Sequence, residues 1–147
     1  MRTQQTQSNT VPAPVFALWR EVAELDLSTR DIVEQMLAEE TDFEIDSYRF
    51  IRKGYIDDIL EEELGSDEYT LGCFNAWFLA DVLDIDLDVI EAMQKAEAFE
   101  AIGKLVVSMN RLSDLAKAYA SADGYGHHFS SYDHSEQEIG EYYVFRN

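Results

Sequence analysis

The stretch of sequence that decides the predicted fold is residues 69–83, YTLGCFNAWFLADVL. Apolar side chains occupy nearly every position around a helical wheel of this segment, which predicts a helix that is buried on all sides. Such a helix needs other helices to cover it. We therefore expect it to lie at the centre of a mainly helical domain, with Cys73 as a buried and unreactive structural cysteine.

Amphipathic helices are predicted on both sides of this central segment, because apolar residues recur there every three to four positions. The clearest covers Tyr48–Leu64 and follows an acidic connection at Thr41–Ser47. The other predicted helices are one that begins at Pro14, one that carries the apolar stripe from Ile32 to Leu37, one that carries the apolar positions from Val89 to Val106, and one over Arg111–Ala120. Gly103 allows either a bend or a close helix contact.

The C-terminal residues have a different composition. The run Tyr142-Tyr143-Val144-Phe145 is typical of a strand, and Phe129–Tyr132 is the predicted partner strand of a small hairpin. The sequence thus predicts an α+β fold, mainly α, with five to six helices and a C-terminal β-hairpin. We expect one domain over residues 14–147, with an aromatic and His-rich hairpin from about residue 123, preceded by a flexible tail over residues 1–13.

The charge balance restricts the possible partners. The chain has 30 acidic and 11 basic residues, a formal net charge of −19. Direct nucleic-acid binding requires a basic surface, and an anionic membrane would repel this chain. No apolar run approaches the ~20 residues of a membrane-spanning helix, and a single cysteine excludes an internal disulfide. We therefore expect a soluble, cytoplasmic protein that has no cofactor.

Carboxylates are concentrated in the middle of the chain. Asp57, Asp58, Glu61 and Glu62 fall within about 140° of a helical wheel, opposite the apolar residues of the Tyr48–Leu64 helix. We call these four residues the acidic face. The acidic residues upstream of it are Glu39, Glu40, Asp42, Glu44 and Asp46. These nine residues are the candidate partner-binding surface, and the alternative is a solvated surface that only maintains solubility.

The charge density decides whether such a surface can resemble DNA. A folded chain of this size exposes roughly 7,700 Å², so its net charge amounts to about one per 400 Å². B-DNA carries about one charge per 110 Å², taking one per ~1.7 Å of axis and a radius of about 10 Å. About twenty carboxylates on one half of the protein would come within roughly a factor of two of that density. The placement of the carboxylates therefore decides whether DNA mimicry is possible.

Catalytic and metal-binding patterns are weak. His127, His128, Asp133 and His134 lie within eight residues and form an alternative metal site, although their spacing matches no established motif. Asp84, Asp86 and Asp88 do not form an EF-hand, because Val89 and Lys95 occupy the positions that need Gly and Glu. We expect no enzyme activity and no bound metal.

Two segments resemble known proteins. Residues 124–133 (GYGHHFSSYD), together with the C-terminal YYVFRN, and residues 71–78 (LGCFNAWF) resemble segments of small acidic proteins encoded by bacteriophages and other mobile elements, which often lie among anti-CRISPR or anti-restriction genes. The resemblance covers about a third of the chain. It implies a protein that acts in a bacterial host cell, and it carries no catalytic residue across, because such inhibitors share no common fold.

Three functions remain open. The first is an inhibitor that blocks the basic nucleic-acid-binding surface of a host defence complex by mimicking DNA, with Tyr125 and Tyr132 as aromatic anchors. The second is an interaction module that uses an apolar or aromatic patch for a partner or for self-association. The third is a small metal-dependent enzyme that uses the segment from His127 to His134.

Overall fold

The computed structural model describes residues 29–147, and both the tail predicted for residues 1–13 and the helix predicted from Pro14 lie outside them. The described residues form eight α-helices and one four-stranded antiparallel sheet, which confirms the predicted α+β class. The contacts separate them into two compact units. We call the described residues up to Gly54, together with Phe129–Asn147, the sheet unit, and Tyr55–His128 the helical unit.

The sheet unit combines the two ends of the described chain. The strands lie in the order β1-β2-β4-β3, and all neighbours are antiparallel. The elements are α1 (Thr29–Leu37), β1 (Asp42–Ile45), β2 (Tyr48–Arg52), β3 (Gln137–Ile139) and β4 (Tyr142–Arg146). Because β2 pairs with β4, this unit depends on contacts between residues almost a hundred positions apart in the chain.

Residues 42–52 form a β-hairpin. The predicted connection at Thr41–Ser47 and the first residues of the helix predicted over Tyr48–Leu64 are therefore wrong, whereas the rest of that helix is present from Ile56 onward. Aromatic and β-branched residues favour strands, and a short apolar run fits helical and strand periods equally well. Phe50 lies between Phe43 of β1 and Val144 of β4 and is fully buried. Pairing with the distant strand β4 therefore determines that residues 48–52 form a strand, and no local sequence pattern indicates this pairing.

The C-terminal strand is confirmed, but its predicted partner is wrong. The hairpin partner of β4 is β3 instead of the segment Phe129–Tyr132, and Gly140 adopts a left-handed φ of 58° in the turn between the two strands. Phe129 packs in the core of the sheet unit, with its ring centre 5.1 Å from that of Phe145. The aromatic character that indicates a strand at Phe129 reflects this core contact.

Helix α1 covers one face of the sheet. The core cluster of this unit consists of Ile32, Met36, Phe50, Ile139, Tyr142 and Val144. The hydroxyl group of Tyr142 donates a hydrogen bond of 2.6 Å to the backbone carbonyl of Glu40, just after α1. This bond satisfies a polar group that would otherwise be costly to bury.

The helical unit follows a 3₁₀ turn at Lys53–Tyr55. Its helices are α2 (Ile56–Gly65), α3 (Glu68–Gly72), α4 (Ala76–Leu83), α5 (Leu87–Lys95), α6 (Phe99–Ser108) and α7 (Leu112–Asp123), and the chain then enters α8 (Gly126–Phe129). Buried residues from several of these helices, among them Leu60, Leu79 and Ile102, form its core.

The helix predicted over residues 69–83 is in fact two helices, α3 and α4. The chain turns at Cys73–Asn75, and the side chain of Asn75 caps α4 by accepting hydrogen bonds from the backbone N–H groups of Trp77 and Phe78. Cys73 is exposed in this turn, so the expectation of a buried cysteine is wrong. Trp77 is 70% exposed, so the segment is not buried on all sides.

The apolar segment from Val89 to Val106 is also divided, into α5 and α6. Glu97 adopts a left-handed φ of 58° between the two helices. These two additional breaks are the main reason why the described residues contain more helices than the five to six predicted.

Helices α3 and α6 touch through their backbones. A Cβ atom added to Gly72 would overlap the carbonyl oxygen of Phe99, and one added to Gly103 would overlap that of Glu68. Both glycines are buried. Of the two roles considered for Gly103, a bend or a close helix contact, the structure shows the contact, and it requires a glycine in each of the two helices.

Replacing Gly103 by alanine should therefore destabilise the helical unit by about 2–3 kcal/mol, because the backbones must move apart. The measurement is urea denaturation followed by circular dichroism. Gly54→Ala is the matched control, since nothing lies within 4 Å of its added Cβ. Its expected change is within about 0.5 kcal/mol. Equal stabilities of the two variants would contradict the close contact.

A second prediction concerns alkaline pH. Burial raises the pKa of the Tyr142 phenol above its ordinary value of 10.0. Because the folded chain holds this proton more tightly than the unfolded chain, the stabilisation is complete below pH 10.0 and is lost as the pH rises beyond it. Replacing Tyr142 by phenylalanine should lower the free energy of unfolding by about 1 kcal/mol at pH 7, because the hydrogen bond is missing. As the pH rises above 10.0, the stability of this variant should fall less than that of the wild type. Parallel stability curves from pH 7 to 11 would contradict this assignment.

Candidate functional site

The acidic face lies on α2, whose buried side is formed by Ile56, Leu60 and Leu64. These three residues recur every four positions, which leaves the opposite side of the helix to solvent. Asp57, Asp58 and Glu62 are exposed and Glu61 is half-buried. The structure therefore brings the four carboxylates of the acidic face together over two turns of one helix.

The acidic face has no cationic partner within residues 29–147. A side-chain hydrogen bond joins Asp57 to Tyr125, whose hydroxyl group donates to Oδ1 at 2.6 Å. Neighbouring Glu63 lies on the flank of α2 and faces the Nε2 atom of His128 at 3.0 Å. Like charges three or four residues apart repel each other, so this arrangement carries a cost that the core of the unit must offset.

The upstream carboxylates belong to the sheet unit, where some are matched by cations of the same unit. Arg49 donates two hydrogen bonds to Asp42, at 2.9 and 2.7 Å, which is the bidentate geometry of a strong ion pair. Arg52 lies 3.8 Å from Glu39. The structure therefore neutralises part of the acidic surface that the sequence predicted upstream of α2.

The remaining three upstream residues are exposed. Glu40 follows α1, and Glu44 lies on β1, where exposed and half-buried residues alternate. Asp46 forms the turn between β1 and β2 with a left-handed φ of 57°, a conformation that aspartate tolerates better than most residues. These residues belong to a different unit from the acidic face.

The two predicted aromatic anchors also belong to different units. Tyr125 is half-buried in the helical unit beside Asp57. Tyr132 is 62% exposed in the sheet unit, and its ring lies 3.9 Å from the guanidinium carbon of Arg146. That distance is typical of a cation–π contact.

The residues of the alternative metal site are likewise divided between the units. His127 and His128 lie in the helical unit, whereas Asp133 and His134 lie in the sheet unit. Hydrogen bonds from Ser135 and Ser130 hold the pKa of the Asp133 carboxyl below its usual value. Within the described residues, no group of three or more His, Cys, Asp or Glu side chains is arranged to hold a metal ion.

The sequence did not reveal a pocket in the helical unit. It has a volume of about 370 Å³ and is lined by Phe74, Asn75, Phe78, Tyr119, Ala122, Asp123 and His127. The pocket arises at the turn between α3 and α4, where the predicted continuous helix is broken. The spacing of Phe74 and Phe78 was present in the sequence, but there it indicates a core position.

Aromatic contacts fix the walls of this pocket. The ring of Phe74 lies edge-on to Tyr119 at 5.1 Å and tilted toward Phe78 at 5.6 Å. The ring of His127 meets Tyr119 edge-on at 5.7 Å. Burial and the Asp123 carboxylate raise the pKa of Tyr119, so its phenol is uncharged at neutral pH. The pocket therefore combines aromatic walls with one carboxylate.

The residues that follow α7 connect this pocket to the acidic face. Tyr125 contacts Asp57, His128 contacts Glu63, and His127 between them lines the pocket. All of these residues belong to the helical unit. The segment Tyr125–His128 therefore contacts α2 and also contributes to the pocket, although more than sixty residues separate this segment from α2 in the chain.

None of the helices in the range 29–147 has the length and apolar character needed to cross a membrane. Comparison with protein-family models, with curated proteins and with solved structures finds no significant match.

Proposed function

We propose that this protein binds the basic, nucleic-acid-binding surface of another protein and excludes the nucleic acid by competition. The acidic face supports this proposal, because its four carboxylates are gathered on α2 without a cation from the described residues. A basic protein surface would supply the missing counter-charge.

The local charge density fits this role. The acidic face spans six residues, which is about 9 Å of helix axis. This corresponds to about one charge per 2 Å, against one per ~1.7 Å for the two strands of B-DNA. The average charge density over the protein surface is several-fold below that of B-DNA, so the acidic face comes closer to the density of a nucleic acid than the surface as a whole does.

The surroundings of the acidic face strengthen its field. Residues 55–128 contain sixteen acidic and four basic residues, a net charge of −12. A field of this sign accelerates association with a basic partner and makes that association sensitive to salt. The sheet unit contributes less, because Asp42, Glu39 and Glu138 are paired with its own cations.

The biological role we propose is inhibition of a bacterial defence complex, either a CRISPR effector or a restriction enzyme. The resemblance of residues 71–78 and 124–133 to acidic proteins of phages and mobile elements supports this role. Both kinds of defence complex hold nucleic acid on basic surfaces, and one acidic helix face is suited to either.

The test is a plating assay in bacterial strains that each carry one CRISPR or restriction system active against a reporter phage. Expression of the wild type should raise the plating efficiency of the phage by about 100-fold or more in at least one strain. The variant Asp57→Asn, Asp58→Asn, Glu61→Gln, Glu62→Gln should abolish that rise, because each lost contact with a cation reduces affinity several-fold.

A second variant separates position from net charge. Asp84→Asn, Asp86→Asn, Asp88→Asn, Glu91→Gln removes the same four charges from exposed sites elsewhere in the helical unit. It should retain most of the protection, and circular dichroism should show both variants folded. Equal loss in the two variants would show that only net charge matters, and no protection in any strain would contradict the proposed role.

One observation favours the second candidate, an apolar interaction module. Trp77 is the most exposed large apolar side chain among the described residues, at 70%, and tryptophan is frequent at the centres of interfaces. An interface centred on Trp77 would bind its partner almost independently of salt. Trp77→Ala should then abolish binding, whereas neutralising the acidic face should not.

A further inference from the structure

The pocket between α4 and α7 combines aromatic walls with a carboxylate. Its walls are aromatic, formed by Phe74, Phe78 and Tyr119, and Asp123 places a carboxylate on its lining. It lies in a unit with a net charge of −12. Aromatic faces attract cations through their electron-rich π systems, and a nearby carboxylate adds a direct electrostatic attraction.

We propose that this pocket binds the guanidinium group of an arginine side chain that a basic partner protein presents. The identity of the partner rests on the function proposed above, whereas the preference for arginine rests on the pocket itself. The acidic face then attracts the partner over a long range, and the pocket provides the short-range anchor that a charged surface alone lacks.

The shape of the pocket favours arginine over the other cations of proteins. A guanidinium group is planar, stacks on aromatic rings and is more weakly hydrated than an ammonium group. It can therefore lie against Phe74 or Phe78 and still donate hydrogen bonds to Asp123. A volume of about 370 Å³ is near the lower limit for small-molecule sites, which suits one side chain.

The position of the pocket also fits an arginine from a nucleic-acid-binding surface. Such surfaces are rich in arginine and lysine that would otherwise contact phosphates. Tyr125 and His128, which stand on either side of the pocket residue His127 in the chain, both contact the helix that carries the acidic face. A basic surface resting on α2 would thus present further arginines to the pocket beside it.

The test is a titration of the full chain with N-acetyl-arginine N-methylamide, monitored by two-dimensional NMR. This probe should shift the resonances of Phe74, Phe78 and Asp123, with a Kd on the order of 1–10 mM. The matching lysine amide should bind about fivefold more weakly. The citrulline amide, which has the same shape without the charge, should cause no shifts at these residues.

Two variants test the proposed contacts without removing the core. Asp123→Asn changes an exposed residue at the end of α7, and Phe78→Leu keeps an apolar side chain while removing the aromatic face. Each should weaken binding of the arginine probe about five- to tenfold. If the citrulline amide binds as well as the arginine amide, or if neither variant weakens binding, the preference for a guanidinium group is wrong.

The plating assay then distinguishes this inference from the proposed function. Neutralising the acidic face should leave probe binding within about twofold of the wild type, because none of those four residues lines the pocket. If Asp123→Asn and Phe78→Leu lose the probe but keep full protection, the anchoring role is wrong and the proposed function stands. If the wild type binds the probe but gives no protection, the proposed function fails and the preference of the pocket for arginine stands.

Discussion

The helical unit depends on the backbone contact between α3 and α6. Gly72 and Gly103 allow each helix to approach a carbonyl group of the other so closely that no Cβ atom fits at either position. Gly72 is the last residue of α3, so the contact lies directly before the turn at Cys73–Asn75. In and after that turn, Trp77 is exposed, Asn75 caps α4, and Phe74 packs against both Phe78 and Tyr119. The two glycines lie outside the pocket, but the turn that follows Gly72 carries the pocket residues Phe74 and Asn75.

The acidic face differs from some of the upstream carboxylates in its lack of a cationic partner within the described part of the chain. In the sheet unit, Arg49, Arg52 and Lys53 contact carboxylates of the same unit. In the helical unit, the acidic face of α2 meets no cation from the described residues, and its repulsion must be offset by burial of Ile56, Leu60 and Leu64 on the other side of the helix. A protein that needed charge only for solubility would gain stability from spreading these carboxylates apart. Their concentration beside an aromatic pocket is the basis for assigning both features to one partner.

The parts of the fold and of the site that depend on residues close together in the chain could be predicted from the sequence, among them the acidic face but not the pocket. Helical period alone places the four carboxylates of the acidic face on one side of α2, and this holds although the helix begins at Ile56 instead of Tyr48. The strand character of Tyr142–Phe145 was also visible. By contrast, β2 depends on pairing with β4 across the chain, and the pairing of Asp42 with Arg49 depends on the hairpin that contains them. The pocket was hidden because Phe74 and Phe78 have the spacing of core residues.

By itself, the sequence determined the net charge, the amphipathic helices and the carboxylates that share one face, since each depends on composition or on spacing within a few residues. Only the tertiary structure decided which carboxylates are neutralised and where the central apolar segment breaks. It also decided that Tyr125 and His128 reach back to α2. The physical reason is that these outcomes depend on which backbones approach one another. That approach is set by glycines and by strand partners that lie far apart in the chain.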